Sequence, residues 1–259
     1  MVQTGKAWRR RVGVGRALVL AALALAALYL APVAARATPI LEHTYDDQAA
    51  AVTDVSGAGH PGTRSGPTYS TDTPDASSHS LSFASGNSYS VSSLNNFNFG
   101  SAISISFWVK RTAAGVHNGY SAVVNNGYGD GAFDIRFGRE DSFQRLWFAW
   151  GTATLGQNMT DFFDVTMNVW HRIGFTYDGS FMRGSLDGVQ QFQHAWTGAL
   201  LQVAHDVVVG NNANLEDFVG LVDDLKIDSS ASPAVPEPAS ALLAGAGALL
   251  ALARRRRSA

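Results

Sequence analysis

The sequence predicts an all-β protein, a two-sheet antiparallel jelly-roll sandwich flanked by targeting segments. Residues 103–110 alternate strictly between apolar and polar side chains, which is typical of a half-buried strand. Asp-Gly pairs at 178–179 and 187–188 each separate two alternating runs, as tight hairpin turns do. Between residue 38 and the C-terminal tail, no long apolar repeat has a helical period.

Further short runs along the chain supply the remaining strands of such a sandwich. Residues 172–177 alternate and end at the first Asp-Gly pair, and residues 183–186 lie between the two pairs. Two apolar runs, 207–209 and 221–227, follow. Many short strands over about 190 residues without an internal repeat favour two packed sheets. The stretch 115–131 is rich in Gly and Asn, and we interpret it as a long loop.

The first 37 residues have the three parts of a secretory signal peptide. Residues 1–16 carry five basic and no acidic side chains, residues 17–34 are mostly Ala, Leu and Val, and Ala35-Arg36-Ala37 fits a cleavage site. Cleavage after Ala37 is therefore predicted. An uncleaved signal anchor is the alternative, because the apolar run is close to the roughly 20 residues that span a bilayer.

Composition limits the chemistry of the region between the two ends. The chain has no cysteine, which excludes disulfides, thiolate nucleophiles and cysteine-based zinc sites. Residues 38–234 hold nine basic and twenty acidic side chains, a net charge of −11. Such a surface argues against a nucleic-acid partner and favours hard cations such as calcium.

The C-terminal 25 residues, 235–259, have the order of a sorting signal. The triplet Pro236, Glu237 and Pro238 precedes an apolar run at 239–253, which is short for a hydrocarbon core about 30 Å thick, and then come four arginines at 254–257. A plain stop-transfer helix is the alternative, but it gives no reason for the triplet. The segment closely resembles the PEP-CTERM sorting signal, and residues 229–234 are predicted to be its linker.

That resemblance implies a route and a location for the protein. It implies recognition and processing by an exosortase, and attachment to the membrane through the tail, at least transiently. The destination is the envelope, surface or extracellular matrix of a Gram-negative bacterium.

Six motifs appear in the order expected of a laminin G-like domain. They are the segments 54–60, 80–83, 103–110, 170–178, 185–188 and 220–227. This succession resembles the laminin G-like domains of the concanavalin A-like lectin/glucanase superfamily, and the resemblance covers residues 38–228. It implies the same jelly-roll fold.

The sequence predicts a protein without enzymatic activity. Glycosidases need two carboxyl groups flanking the scissile bond, and those of this fold carry an E-x-D-x-E pattern. The only glutamates, Glu42, Glu140, Glu216 and Glu237, do not form that pattern. The chain has neither a G-x-S-x-G elbow nor an H-E-x-x-H motif.

Calcium is the predicted cofactor, in a structural role. Strict alternation places Asp223 on the same face as Leu225 and Ile227, where a carboxylate is costly unless it is paired or binds a metal. Laminin G-like relatives often bind one calcium, and the resemblance implies Asp223 with Asp46 or Asp54 as ligands. The alternative is that Asp223 accepts backbone N–H bonds without a metal.

A candidate glycan site lies on two alternating runs, 133–137 and 145–150. If they pair as a hairpin, Asp134, Arg136 and Trp147 share the face opposite the apolar side chains. Sugar sites combine a stacking aromatic ring with polar groups in this way. A second core layer or a salt bridge is the alternative.

Three functions remain open. The first is a binding module for extracellular polysaccharide or a surface protein. The second is a passive structural coat component, and the third, less favoured, is a glycoside hydrolase of the same fold.

Overall fold

The computed structural model describes most of the chain between residues 38 and 230. The described residues are 38–75, 77–114, 120–127, 130–138, 145–152, 156–212 and 214–230, with the backbone alone at 156–162. The predicted signal peptide at 1–37, the linker from residue 231 and the sorting segment at 235–259 lie outside them. None of the described residues form a helix with the length and hydropathy that crossing a bilayer requires.

The described residues form fifteen strands and one short 3-10 turn at Ser92–Leu94. The strands are β1 (Pro39–His43), β2 (Thr63–Ser65), β3 (Thr68–Ser70), β4 (Ser80–Phe83), β5 (Ser88–Val91), β6 (Ile103–Arg111), β7 (Ser121–Asn125), β8 (Phe133–Phe137), β9 (Arg145–Thr152), β10 (Gly156–Asp164), β11 (His171–Tyr177), β12 (Phe181–Leu186), β13 (Val189–Ala195), β14 (Val207–Val209) and β15 (Gly220–Asp228).

The strands build two antiparallel sheets. The eight-stranded sheet has the order β13-β12-β11-β6-β15-β4-β3, and β1 pairs with the second half of β15. The seven-stranded sheet has the order β10-β9-β8-β7-β14-β5-β2. This arrangement confirms the predicted all-β sandwich.

The core lies between the sheets and uses the predicted alternation. Ile103, Ile105 and Phe107 of β6 are fully buried. From the other sheet, the Trp150 ring lies 4.0 Å from that of Phe175, centroid to centroid. All residues of the core cluster fall between positions 40 and 227. Every core residue in the described part of the chain thus lies within residues 38–230, and we expect this segment to fold without the two ends.

The second Asp-Gly pair makes the predicted hairpin turn. Leu186 pairs with Val189, which leaves Asp187 and Gly188 as a two-residue loop. Their φ angles are 51° and 80°. Both values are positive, as a type I′ turn requires, and glycine adopts such values without steric cost.

The interpretation of residues 115–131 as one long loop is wrong. Strand β7 lies within that stretch, with all five residues buried. Its apolar run is only Ala122, Val123 and Val124, and the Gly- and Asn-rich flanks conceal so short a strand in the sequence.

The predicted orientation of Asp223 is also wrong. Ile227 lies opposite Ile105 of the core face, but Asp223 lies opposite Trp108, on the outer face of the sheet. The register of β15 shifts between Asp223 and Lys226, where Asp224 has a φ of 46°. A bulge adds one residue to the strand and reverses the alternation, which a regular two-residue period cannot predict.

Candidate ligand-binding site

The two strands that carry the candidate glycan residues pair as predicted. Strands β8 and β9 form an antiparallel pair in which Arg136 lies opposite Trp147 and Asp134 lies opposite Ala149. Phe133 and Phe148, on the alternate positions, are fully buried between the sheets. Asp134, Arg136 and Trp147 therefore share the outer face of the seven-stranded sheet.

The three residues differ in their access to solvent. Asp134 is 0% exposed and Arg136 is 6% exposed, whereas Trp147 is half-buried. Glu216, from the segment between β14 and β15, pairs with Arg136 on this face. The salt bridge that the sequence left as an alternative is therefore present, and of the three residues Trp147 offers the accessible surface.

The buried ion pairs centre on one guanidinium. Arg136 Nη1 donates to Glu216 Oε2 over 3.0 Å, and Arg136 Nε lies 3.4 Å from Asp134 Oδ2. Asn212 Nδ2 donates to Glu216 Oε2 over 2.8 Å, and Asn214 Nδ2 donates to Oε1 over 3.1 Å. The Glu216 carboxylate thus accepts hydrogen bonds on both oxygens, and Arg136 pairs with both Glu216 and Asp134.

Asp134 is the electrostatically costly member of this group. Neither of its carboxylate oxygens accepts a hydrogen bond from the described residues. Burial raises the pKa of Asp134 to about 7, because the positive charge of Arg136 only partly offsets desolvation and the negative charge of Glu216 adds to it. Near neutral pH the Asp134 carboxyl is therefore partly protonated.

Beside the ion pairs lies an aromatic surface, which we call the Trp147 platform and define as Tyr120, Gly138 and Trp147. The Trp147 indole packs against Gly138, where an added Cβ would lie 1.7 Å from the indole Nε1. Tyr120 precedes Ser121, the β7 residue paired with Phe137, so Tyr120 and Trp147 approach β8 from opposite sides. The Tyr120 ring centroid is 5.2 Å from Arg136 Cζ. The Trp147 indole therefore occupies the space that a side chain at position 138 would fill.

Such a surface suits a sugar ring chemically. Aromatic faces stack on the C–H face of a pyranose, and polar groups at the rim bind its hydroxyls. Arg145 and Asp164 form a partly exposed ion pair in the adjacent row of the sheet, with 3.8 Å between Nε and Oδ1.

Asp54, one of the candidate calcium ligands, has a structural role in the described chain. Its Oδ1 accepts the backbone N–H groups of Glu42 and Ser56, each over 3.0 Å, and its Oδ2 accepts that of His60 over 2.8 Å. These hydrogen bonds hold the pKa of Asp54 at about 2, although burial opposes them. The carboxylate is occupied in closing the loop at 54–60.

Asp223 and Asp46 interact electrostatically. Asp223 is fully buried, its Oδ2 accepts the Ser77 hydroxyl over 2.7 Å, and its Oδ1 accepts the N–H of Asp224 over 2.9 Å. Burial raises the pKa of Asp223 to about 7, and the negative charges of Asp224 and Asp46 contribute. Asp46 Oδ1 accepts the N–H of Ser78 over 2.7 Å.

The calcium assignment stays a prediction. Among the described residues, no three carboxylate or imidazole side chains converge to hold a metal ion. Calcium at Asp223 would therefore need backbone or hydroxyl oxygens and water as its remaining ligands.

Sequence reasoning missed Tyr120, Gly138 and Glu216. Gly138 directly follows the alternating run of β8, so a glycine at the end of a strand was a usable signal. Glu216 lies 80 residues from Arg136 along the chain, and no local pattern connects them.

The two packed antiparallel sheets have the architecture of a concanavalin A-like sandwich. Residues 83–234 match the family described as the concanavalin A-like lectin/glucanases superfamily, and the chain belongs to it. Residues 234–257 match the PEP-CTERM protein-sorting motif. Both predicted resemblances are confirmed, and the motif implies an exported, cell-surface protein that an exosortase processes.

Solved structures with the same architecture are distant in sequence. Domain 4 of AbnA, an extracellular arabinanase from Geobacillus stearothermophilus solved with arabinotriose, is 16% identical with a TM-score of 0.59, covering 76% of this chain and 95% of that one. The binding domain of Paraclostridial Mosquitocidal Protein 1 is 15% identical with a TM-score of 0.58, covering 75% and 49%. The receptor binding domain of botulinum neurotoxin C/D mosaic serotype is 15% identical with a TM-score of 0.56, covering 75% and 48%.

The chain spans about half the length of these two toxin domains. At such identities the similarity shows a shared fold. No curated protein matches the sequence significantly.

Proposed function

We propose that residues 38–228 form a non-enzymatic binding module for extracellular polysaccharide, carried to the cell surface by the sorting segment. The observation that carries the proposal is the Trp147 platform, an accessible aromatic surface on the outer face of a sheet. The AbnA domain of the same fold was solved with an arabinose trisaccharide, which supports a sugar ligand. Contact with a surface protein, or a passive coat role, is the alternative.

The burial of two carboxylates near the platform, Asp134 and Glu216, favours binding over hydrolysis. Asp134 and Glu216 are both 0% exposed, and both pair with Arg136. A glycosidase needs one carboxyl group on each side of the bond it cleaves, which requires both to reach the substrate. Buried in this way, neither carboxyl group is placed to reach a substrate.

Truncating Trp147 is expected to abolish retention on exopolysaccharide from the native host, because the stacking surface is lost. Residues 38–230 carrying Trp147→Ala are compared with wild type by affinity electrophoresis, with the melting temperature measured alongside. Gly138→Ala should weaken retention as well, since the new methyl group displaces the indole. Trp170→Ala, directly before β11 of the other sheet, is the control and should bind as wild type.

Two results would contradict this proposal. Wild-type retention that survives in Trp147→Ala would move the binding surface elsewhere. Release of new reducing ends from the polysaccharide would establish a hydrolase.

We also propose a structural calcium at Asp223, assisted by Asp46. Burial and the neighbouring negative charges raise the pKa of Asp223, and a divalent cation would relieve both costs. Both oxygens of Asp54 accept backbone N–H groups, whereas Asp46 accepts its hydrogen bonds from Ser78 and His79 on Oδ1, so we favour Asp46 as the ligand.

Calcium is expected to raise the melting temperature of residues 38–230, measured by calorimetry with calcium and again with a chelator. Asp223→Ala should remove that increment, whereas Asp54→Asn should lower stability in both conditions and leave the increment intact. An identical melting temperature of the wild type with calcium and with chelator would contradict the proposed calcium site.

A further inference from the structure

Leu215, in the segment between β14 and β15, combines exposure with an unfavourable backbone conformation. It is 62% exposed, and the core cluster of the described residues does not include it. Its φ angle is 58°, in the left-handed region that bulky side chains rarely adopt, because the Cβ crowds the backbone. Packing of the core therefore accounts for neither feature.

Several hydrogen bonds fix Leu215 in this conformation. They form within the Leu215 turn, which we define as Asn212, Asn214, Leu215 and Glu216. The N–H of Leu215 donates to the Asn212 carbonyl over 3.0 Å. Asn212 Oδ1 accepts the N–H groups of Asn214 and Glu216, over 3.0 and 3.2 Å. An unfavourable φ persists where the surroundings impose it in this way, and such residues are concentrated at functional sites such as ligand-binding sites.

The Leu215 turn is attached to the sheet that carries the Trp147 platform. The carbonyl of Glu216, the residue after Leu215, accepts the N–H of Ala122 on β7 over 2.7 Å. The Glu216 carboxylate pairs with Arg136 on β8, and Arg136 lies opposite Trp147 on β9. Trp147, Arg136, Ala122 and Glu216 therefore follow one another across the sheet, with Leu215 at the far end of this row.

The row is longer than a single sugar ring. Neighbouring strands are about 4.8 Å apart, so the three steps from β9 to the Glu216 segment span roughly 14 Å. The accessible face of Trp147 lies at one end of this distance and the exposed Leu215 lies at the other. Half-buried Tyr120 lies between them, with its ring centroid 5.2 Å from Arg136 Cζ. An extended polysaccharide chain can contact all three side chains.

We infer that Leu215 is a specificity-determining residue of the polysaccharide site, and that the site binds an extended stretch of chain running from Trp147 to Leu215. The inference rests on the proposed sugar-binding function and adds the length and direction of the bound segment. Trp147 stacks on one sugar unit, and Leu215 packs against the C–H groups of another unit further along. Because hydrogen bonds already hold Leu215 exposed in the unbound domain, binding costs little ordering of the turn.

Leu215→Asn tests this role, because asparagine tolerates a left-handed φ but offers no apolar surface. Residues 38–230 are compared by affinity electrophoresis in gels that contain exopolysaccharide from the native host, and a cooperative melting transition verifies that each variant is folded. Retention should weaken about tenfold, since the apolar contact of a leucine is lost. The melting temperature should equal that of wild type or exceed it.

Two control variants separate the side chain from its position. Leu215→Met keeps an apolar side chain at the same site and should be retained as wild type. Val55→Asn makes a similar change in the loop at 54–60, at a residue that is 54% exposed, and should also be retained as wild type. Equal retention of Leu215→Asn and Val55→Asn would overturn the inference. So would a lower melting temperature of Leu215→Asn with unchanged retention, which is the result expected of a purely structural residue.

Competition measures the length of the site. Partial acid hydrolysis of the same polysaccharide gives fragments, and complete hydrolysis gives monosaccharides. Fragments should reduce the retention of wild type at sugar concentrations at which monosaccharides have no effect. Equal competition by monosaccharides would restrict the site to one ring and contradict the extended site.

The same gels distinguish failure of this inference from failure of the proposed function. Retention that is lost in Trp147→Ala but kept in Leu215→Asn would contradict the extended site alone. Wild type that is not retained at all would contradict polysaccharide binding, and the extended site with it.

Discussion

Replacing Arg136 with methionine is expected to destabilise the sandwich by about 3–5 kcal/mol at pH 8. Arg136 Nη1 lies 3.0 Å from Glu216 and Arg136 Nε lies 3.4 Å from Asp134, and both carboxylates are fully buried. Methionine fills much of the space of the arginine but removes the positive charge that faces the two buried carboxylates. Chemical denaturation of residues 38–230 measures the loss.

Two companion variants separate the charge effect from packing. Lys226→Met removes a partly exposed cation that lies 3.5 Å from Glu42 and 3.9 Å from Asp228, and it should cost about 1 kcal/mol. Adding Asp134→Asn and Glu216→Gln to Arg136→Met should recover part of the loss, because no buried charge remains. Equal losses for Arg136→Met and Lys226→Met would show that the buried carboxylates do not depend on this guanidinium.

Asp134→Asn is expected to stabilise the protein at pH 8 and to have little effect at pH 4. The folded pKa of Asp134 is about 7, above the ordinary value of 3.8, so the folded state binds more protons between these values. Its contribution to stability is complete below about pH 4 and is lost as pH rises to about 7. A shift of this size corresponds to up to about 4 kcal/mol. Denaturation curves of wild type and variant across this pH range give the difference.

Two other carboxylates also make the stability of the protein depend on pH. Asp223 has its pKa raised in the same direction, so some loss of stability with rising pH remains in Asp134→Asn. Asp54, with a pKa of about 2, has the opposite sign. Its contribution is present above about pH 4 and is lost as pH falls towards 2, so Asp54→Asn should destabilise mainly at neutral pH. Parallel pH profiles for wild type and Asp134→Asn would contradict a raised pKa at this site.

The sequence predicted the parts of the fold that depend on neighbouring residues. Alternation along Ile103–Arg111 gave the correct buried face, and the Asp187-Gly188 pair gave the turn and the strand that follows it. The bulge at Asp223–Lys226 was not predictable, because it depends on where β1 and β6 meet β15. Pairing partners far apart in sequence determine such register shifts.

The candidate site also has one part that the local sequence predicts and one part that depends on distant residues. The shared face of Asp134, Arg136 and Trp147 follows from two local runs that form a hairpin. The burial of Asp134 and Arg136 does not follow from these local runs, because Glu216 contacts Arg136 from a segment 80 residues later in the chain. Tyr120 was missed because the strand that positions it is only five residues long and lies among glycines and asparagines.

The position of β15 determines how the tethered domain bears mechanical load. The chain leaves the sandwich towards the sorting segment at the end of β15, where Ser229 N–H donates to the Thr38 carbonyl over 3.0 Å. Strand β15 is central, held along one edge by β6 and along the other by β4 and β1. A pull on the chain beyond Asp228 enters the domain along the nine residues of β15, whose hydrogen bonds on both edges resist together in shear. A terminal edge strand would instead peel away one bond at a time.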